Sequence, residues 1–170
     1  MSVKLLGAIF IVGGCGSFGF SMAAAHRREE KLFRQYLIAL EFMECELRCR
    51  LTPLPELCRG AAQLVCGTVR SLFLALLEEL EAQMLPDARI CAGAAAASVG
   101  NLPDSLRFQF LELGQTLGRF DLEGQLSGLE SNKIRARQVL NRLEENRSAR
   151  LRSYQTLGLC AGAALAILFI

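Results

Sequence analysis

Apolar residues fall along this chain in three regimes. From Leu5 to Ala25 they run on without a charge, as LLGAIFIVGGCGSFGFSMAAA. That is about 21 residues, enough for a helix to cross a ~30 Å hydrocarbon core. From Arg27 to Thr156 apolar residues instead recur at three- and four-residue steps among charges, the helical period. A second uncharged run, Leu157 to Ile170, closes the chain. At about 14 residues it makes ~21 Å of helix, shorter than the core, and an entry from Tyr154 would lengthen it.

The middle regime predicts a succession of helices. Phe33, Tyr36, Leu37, Leu40, Met43 and Leu47 form one stripe between Arg27 and Arg50, with Glu41, Glu46 and Arg48 off it. Leu51-Thr52-Pro53 ends that helix; Thr52 is read as the N-cap of the next and Pro53 as its first residue. This short helix reaches about Cys66 and ends near Gly67. A third spans about Thr68 to Leu85, with Val69, Leu72, Phe73, Leu76, Leu80 and Met84 on one face, until Pro86-Asp87 breaks it. The alanine-rich stretch from Ala88 to Gly100 suits close packing. Asn101-Leu102-Pro103-Asp104 starts a helix carrying Leu106, Phe110, Leu113 and Leu117, closed at Gly118, a natural left-handed position. Asp121 caps a last long helix with Leu122, Leu126, Leu129, Ala136, Leu140 and Leu143. If it runs through Arg152 into Leu157, motion of the domain would pass rigidly to the membrane. No alternation argues for a strand. The fold class is all-α: a helical bundle over 26–156, between transmembrane helices at 1–25 and 157–170.

Charge sets the orientation. All 17 acids, and every basic residue except Lys4, lie between the two apolar runs. Arg27, Arg28, Lys31 and Arg34 crowd one membrane edge, and Arg142, Arg147, Arg150 and Arg152 the other. Basic flanks stay cytoplasmic, so the bundle belongs in the cytoplasm, where these clusters can also meet anionic headgroups. A net charge of +2 is too small for a nucleic-acid binder. Two rival readings of the N-terminus exist. Ala23-Ala24-Ala25 would suit a signal peptidase, and Val12-Gly13-Gly14-Cys15 loosely resembles a lipidation box; either would put the domain outside. Against them, the mature chain would begin His-Arg-Arg, or the apolar run would continue ten residues beyond the lipidated cysteine.

The two runs carry small-residue rows: Cys15, Gly19 and Ala23, with Gly13 and Ser17 beside them, and in the tail Gly158, Gly162 and Ala166. Such rows let helices approach closely in lipid, and one anchor against the other is the obvious pairing. Seven cysteines are an odd number and the compartment is reducing, so a disulfide framework is not expected. Cys45 and Cys49 fall four apart with Cys58 and Cys66 downstream, but a zinc site wants four spaced ligands and His26 is the only histidine. Small core residues are the better reading of these thiols.

No Walker loop, nucleophile elbow or HExxH appears. Gly114 and Gly118 bracket Gln115-Thr116-Leu117 without a strand or lysine, so phosphate binding is not expected. Glu78-Glu79 and Glu144-Glu145 read as solvated faces. Nothing builds an active site; neither cofactor nor small-molecule substrate is expected. The residues singled out are turn formers, Thr52, Pro53, Gly114, Gly118 and Asp121, for shaping the bundle or touching a partner.

Several pieces of the chain resemble the stage III sporulation protein AB family of endospore-forming bacteria. They are Lys4-Leu5-Leu6-Gly7-Ala8, Leu40 through Glu46-Leu47 into Thr52-Pro53-Leu54, Leu113 to Gly118 with Asp121 and Gln125, and Leu157-Gly158. The many cysteines depart from the pattern, as does Cys49 where an aromatic residue is expected. The resemblance implies a part in the complex joining mother cell and forespore, in the mother-cell membrane around the forespore. It also implies a cytoplasmic domain similar to the F-type platform domains of type II secretion. The ATPase-like AA protein and membrane members of the complex are the implied partners. The function expected is a non-enzymatic scaffold.

Overall fold

The computed structural model describes residues 27–82, 87–118 and 121–169, with side chains as far as residue 145. Among the described residues there are six α-helices and no strand. They are α1 (27–50), α2 (Leu54–Leu64), α3 (Gly67–Ala82), α4 (Ala88–Ser98), α5 (Asp104–Thr116) and α6 (Leu122–Phe169). The chain divides into two units, one of Lys31–Leu140 and one of its two ends, Met1–Glu30 with Asn141–Ile170.

The larger unit is the bundle. The stripe on α1 is buried throughout: Phe33, Tyr36, Leu40 and Met43 are fully enclosed, and Leu37 and Leu47 nearly so. α3 contributes Val69, Leu72, Phe73, Leu76, Leu77 and Leu80, and α5 Leu106, Phe110 and Leu113. The ring of Phe73 stacks on Tyr36 at 6.4 Å and meets Phe110 edge-on at 5.7 Å, so aromatics from α1, α3 and α5 knit the centre. α4 turns Ala88, Cys91, Ala92, Ala95 and Ala96 inward. Its small side chains let α5 come close: a Cβ on Gly114 would lie 2.4 Å from Ala92 Cβ and 3.0 Å from the Ala88 carbonyl oxygen.

Turn chemistry differs from the sequence reading at the start of α2. Pro53, not Thr52, occupies the N-cap of α2, with no side-chain capping bond. The Thr52 hydroxyl instead donates to Glu46 Oε2 at 3.1 Å, tying the turn back onto α1. The residue before it, Leu51, takes a left-handed φ of 52° to leave α1. Asp87 and Asp121 accept helix-starting N–H bonds, from Arg89 at 3.0 Å and from Gly124 at 3.1 Å.

In the other unit the described residues are helical: the first turn of α1, 27–30, and the C-terminal part of α6, 141–169. No helix among the described residues is long and apolar enough to cross a membrane. The spanning helix expected at 157–170 is thus not found among them. That segment is the end of α6, and only about 13 apolar residues follow Arg152-Ser153-Tyr154-Gln155-Thr156 before the helix ends at Phe169, ~20 Å of helix. The N-terminal anchor, 1–25, lies outside the described residues.

Candidate functional site

The turn residues singled out in the sequence come from three parts of the chain, and the fold brings them to one end of the bundle. Gly118 has a φ of 78°, which an L side chain resists. A Cβ there would lie 3.8 Å from Ala88 Cβ and 3.9 Å from Leu54 Cδ2. Leu54 at the start of α2, Ala88 at the start of α4 and Gly118 after α5 therefore adjoin. Leu54, the first residue of α2, and Gly118 lie beside one another although 64 positions separate them, and Asp121, three residues after Gly118, starts α6. Leu51 and Leu122, which flank these turns, are exposed.

A second cluster lies inside the bundle, and the sequence reading missed it. Tyr36, without exposed surface, donates its hydroxyl to Asn132 Oδ1 at 2.9 Å and lies 3.3 Å from the Gln109 backbone oxygen. Asn132 Nδ2 donates to that same oxygen at 2.8 Å. Three helices, α1, α5 and α6, are thus joined by one buried polar knot. Burial pushes the Tyr36 phenol well above its usual value, helped by the Glu112 carboxylate and opposed by the bond to Asn132. It stays protonated and a donor. The available signal was spacing: Asn132 sits three residues after Leu129 and four before Ala136, on the apolar stripe itself.

Ion pairs flank the knot. Lys133 of α6 bonds Glu44 of α1, Arg137 bonds Glu41 at 2.7 Å, and Arg135 bonds Glu112 of α5. The hydrogen bond from Lys133 holds the Glu44 carboxyl below its usual range, against some desolvation. Arg59 of α2 meets Glu81 of α3 at 2.6 Å.

The cysteines divide. Cys58 and Cys91 are buried, and burial raises both thiols, Cys58 to about 12. Cys45, Cys49 and Cys66 are exposed, so the core reading does not hold for them: they stand off the buried stripe of α1 and at the α2–α3 turn. Among the described residues no three of His, Cys, Asp and Glu gather as a metal set. Arg27, Arg28, Lys31 and Arg34 are exposed along the start of α1. Arg147, Arg150, Arg152, Gly158, Gly162 and Ala166 fall on the helical backbone of α6, their side chains outside the described residues. Gly13, Cys15, Ser17, Gly19 and Ala23 lie outside them altogether.

Known proteins resemble this chain in sequence and in fold. A curated relative, stage III sporulation protein AB of Bacillus subtilis (strain 168), is 28% identical over 181 residues, covering 99% of each chain. A solved structure of stage III sporulation protein AB (SpoIIIAB) superposes with a TM-score of 0.62 at 20% identity, over 72% of this chain and 98% of that one, a likeness of fold. These relatives are named as sporulation proteins, not as enzymes. The model of the stage III sporulation protein AB family matches residues 4–170, and the chain belongs to that family.

Proposed function

We propose that this protein is a non-enzymatic scaffold of the sporulation complex between mother cell and forespore. In this reading residues 1–25 anchor it in the mother-cell membrane, residues 26–156 form a cytoplasmic bundle, and 157–170 return to the bilayer, inserting partly or thinning it locally. The bundle docks the ATPase-like AA protein of the same complex, and α6 carries the partner's movement to the membrane components. The corner made by Thr52–Pro53 and Gly118–Asp121, with Leu51 and Leu122 exposed beside it, is the proposed contact.

The observation that carries this reading is the continuity of α6, which runs from its cap at Asp121 to Phe169 without a break. The helix has 48 residues, and no loop interrupts it. Basic residues at 27–34 and 142–152 suit a domain held against anionic headgroups.

The test is a flexible Gly-Gly-Gly insertion between Glu145 and Asn146 in a sporulating host. The expected result is a protein that fractionates with membranes, folds normally and fails to support sporulation. Normal spore counts from that insertion would sink the relay. The intact mass of the membrane-extracted protein decides its side: a value near 18.6 kDa keeps the anchor. Loss of the first 25 residues, or an acylated Cys15, would put the domain outside and end the ATPase reading.

A further inference from the structure

Among the described residues Cys45, Cys49 and Cys66 stand in solvent, and the first two are neighbours. Cys45 and Cys49 lie one turn apart on the outer face of α1, a placement that sets Cβ atoms about 5–6 Å apart. The Cys45 thiol is in hydrogen-bonding contact with Cys49. Cys66, at the α2–α3 turn, does not join them; its sulfur lies 3.5 Å from Gln35 Oε1. Cys58 and Cys91 are sealed in the core. Among the described cysteines, only the α1 pair offers two sulfurs to one point in solvent.

The surroundings of the pair decide what it can hold. The carboxylates beside it in sequence are engaged elsewhere. Glu44 pairs with Lys133 and Arg48, and Glu46 with Arg50 at 3.6 Å and the Thr52 hydroxyl at 3.1 Å. Among the described residues no third metal-binding side chain gathers with the two thiols. Zinc asks for four ligands, and calcium and magnesium ask for oxygens, so two sulfurs serve none of them. Monovalent copper is soft and is satisfied by two thiolates. A disulfide is not served either, because it needs Cβ atoms about 3.5–4.5 Å apart and the helix would have to unwind. Nor is the pair placed for nucleophilic chemistry. Cys49 lies in the last turn of α1, where the helix carbonyls disfavour a bare thiolate; reactive cysteines favour helix N-termini.

We propose that Cys45 and Cys49 form a two-coordinate site for a soft monovalent cation of the copper(I) class, held by one chain. Binding replaces two S–H bonds with two metal–sulfur bonds, releases both protons to water and transfers no electron. The Arg48 guanidinium, whose charge acts on Cys45, offsets the negative charge of the dithiolate complex. The chelate would also staple the last turn of α1, just before the left-handed Leu51.

The test uses the full chain in detergent, reduced and without oxygen, with copper(I) divided between protein and the coloured chelator bathocuproine disulfonate. The expected result is one ion held per chain, with two sulfur neighbours by X-ray absorption. Cys45→Ser/Cys49→Ser is expected to bind about a hundredfold more weakly, since disturbing even the partner of a metal ligand costs about 10–100-fold. Cys66→Ser, which alters an exposed thiol outside the pair, is expected to bind as the wild type does. Undiminished binding by the double variant would overturn the proposal, because the remaining thiols would then hold the ion. So would three or four sulfur neighbours, or one ion for two chains, since the site would then be a bridge between copies. A wild type that yields its copper as readily as the double variant would reveal an adventitious ion only, and overturn the site as well.

Discussion

Where α4 meets α5, the seam is made of alanine methyls against bare glycine backbone: Ala88 and Ala92 on one side, Gly114 on the other. Where α6 meets α1 and α5, Leu129, Ala136 and a Gly128 set close against Thr116 are joined by one amide, one phenol, one carbonyl and a fringe of ion pairs. The first seam is cemented by shape: weak dispersion attraction is spread over many close-packed atoms, and no single residue carries direction. The second is held by bonds that exist at one position only. A protein that needs a rigid block and a helix set accurately upon it would use the two chemistries in this way. Close packing makes the block, and directional bonds place the helix.

The first seam is the easier one to wreck. Gly114→Leu has no room, because a Cβ alone already collides with Ala92 and presses on the backbone oxygen of Ala88. A loss of about 3 kcal/mol or more is expected, read as a drop in Tm of roughly 10 °C. Asn132→Ala comes next. It takes the 2.9 Å acceptor from the Tyr36 hydroxyl and the 2.8 Å donor from the Gln109 oxygen, leaving them the longer 3.3 Å bond to each other, and should cost about 1 kcal/mol in urea unfolding. If Asn132→Ala proved costlier than Gly114→Leu, the division between block and placed helix would be reversed.

Two left-handed positions probe the turns from opposite directions. Gly118→Val forces a β-branched residue to a φ of 78° and should cost about 1–2 kcal/mol. Leu51 already bears such a strain, at a φ of 52° on an exposed side chain, so Leu51→Gly should gain up to about 1 kcal/mol. Thermal melts of the two variants shifting the same way would show that one of these turns is not a left-handed cap.

How much of this could be read beforehand follows the same division. The rigid block was legible, since Phe33 to Leu47, Val69 to Leu80 and Leu106 to Leu117 announce their faces by apolar period alone. Helix α6 was half legible. Leu129 and Ala136 belong to a visible stripe, but an asparagine between them reads as solvent until the fold supplies Tyr36, 96 positions away. Thr52 was misread because proline at the next position takes the N-cap and frees the hydroxyl for Glu46. The nearness of Gly118 to Leu54 follows from the packing of α2, α4 and α5 together, which no local pattern encodes.

The smallest expected effect separates two ion pairs on the same helices. Lys133 and Glu44 expose 16% and 14% of their side chains, Arg137 and Glu41 57% and 50%. Solvent screens the second pair, so Glu41→Gln should change stability by ~0.5 kcal/mol at most. The first pair is largely withdrawn from water, and its hydrogen bond holds the Glu44 carboxyl below its usual value. A carboxylate depressed in the folded state stabilises it above the unfolded value, near 4.5, and that contribution is lost as pH falls below it. Glu44→Gln should therefore cost about 1 kcal/mol at pH 7 and little at pH 3. Urea unfolding of Glu44→Gln at the two pH values reads this directly. An equal cost at both would mean that the bond from Lys133 does not hold the Glu44 carboxylate, and that this pair has no part in placing α6.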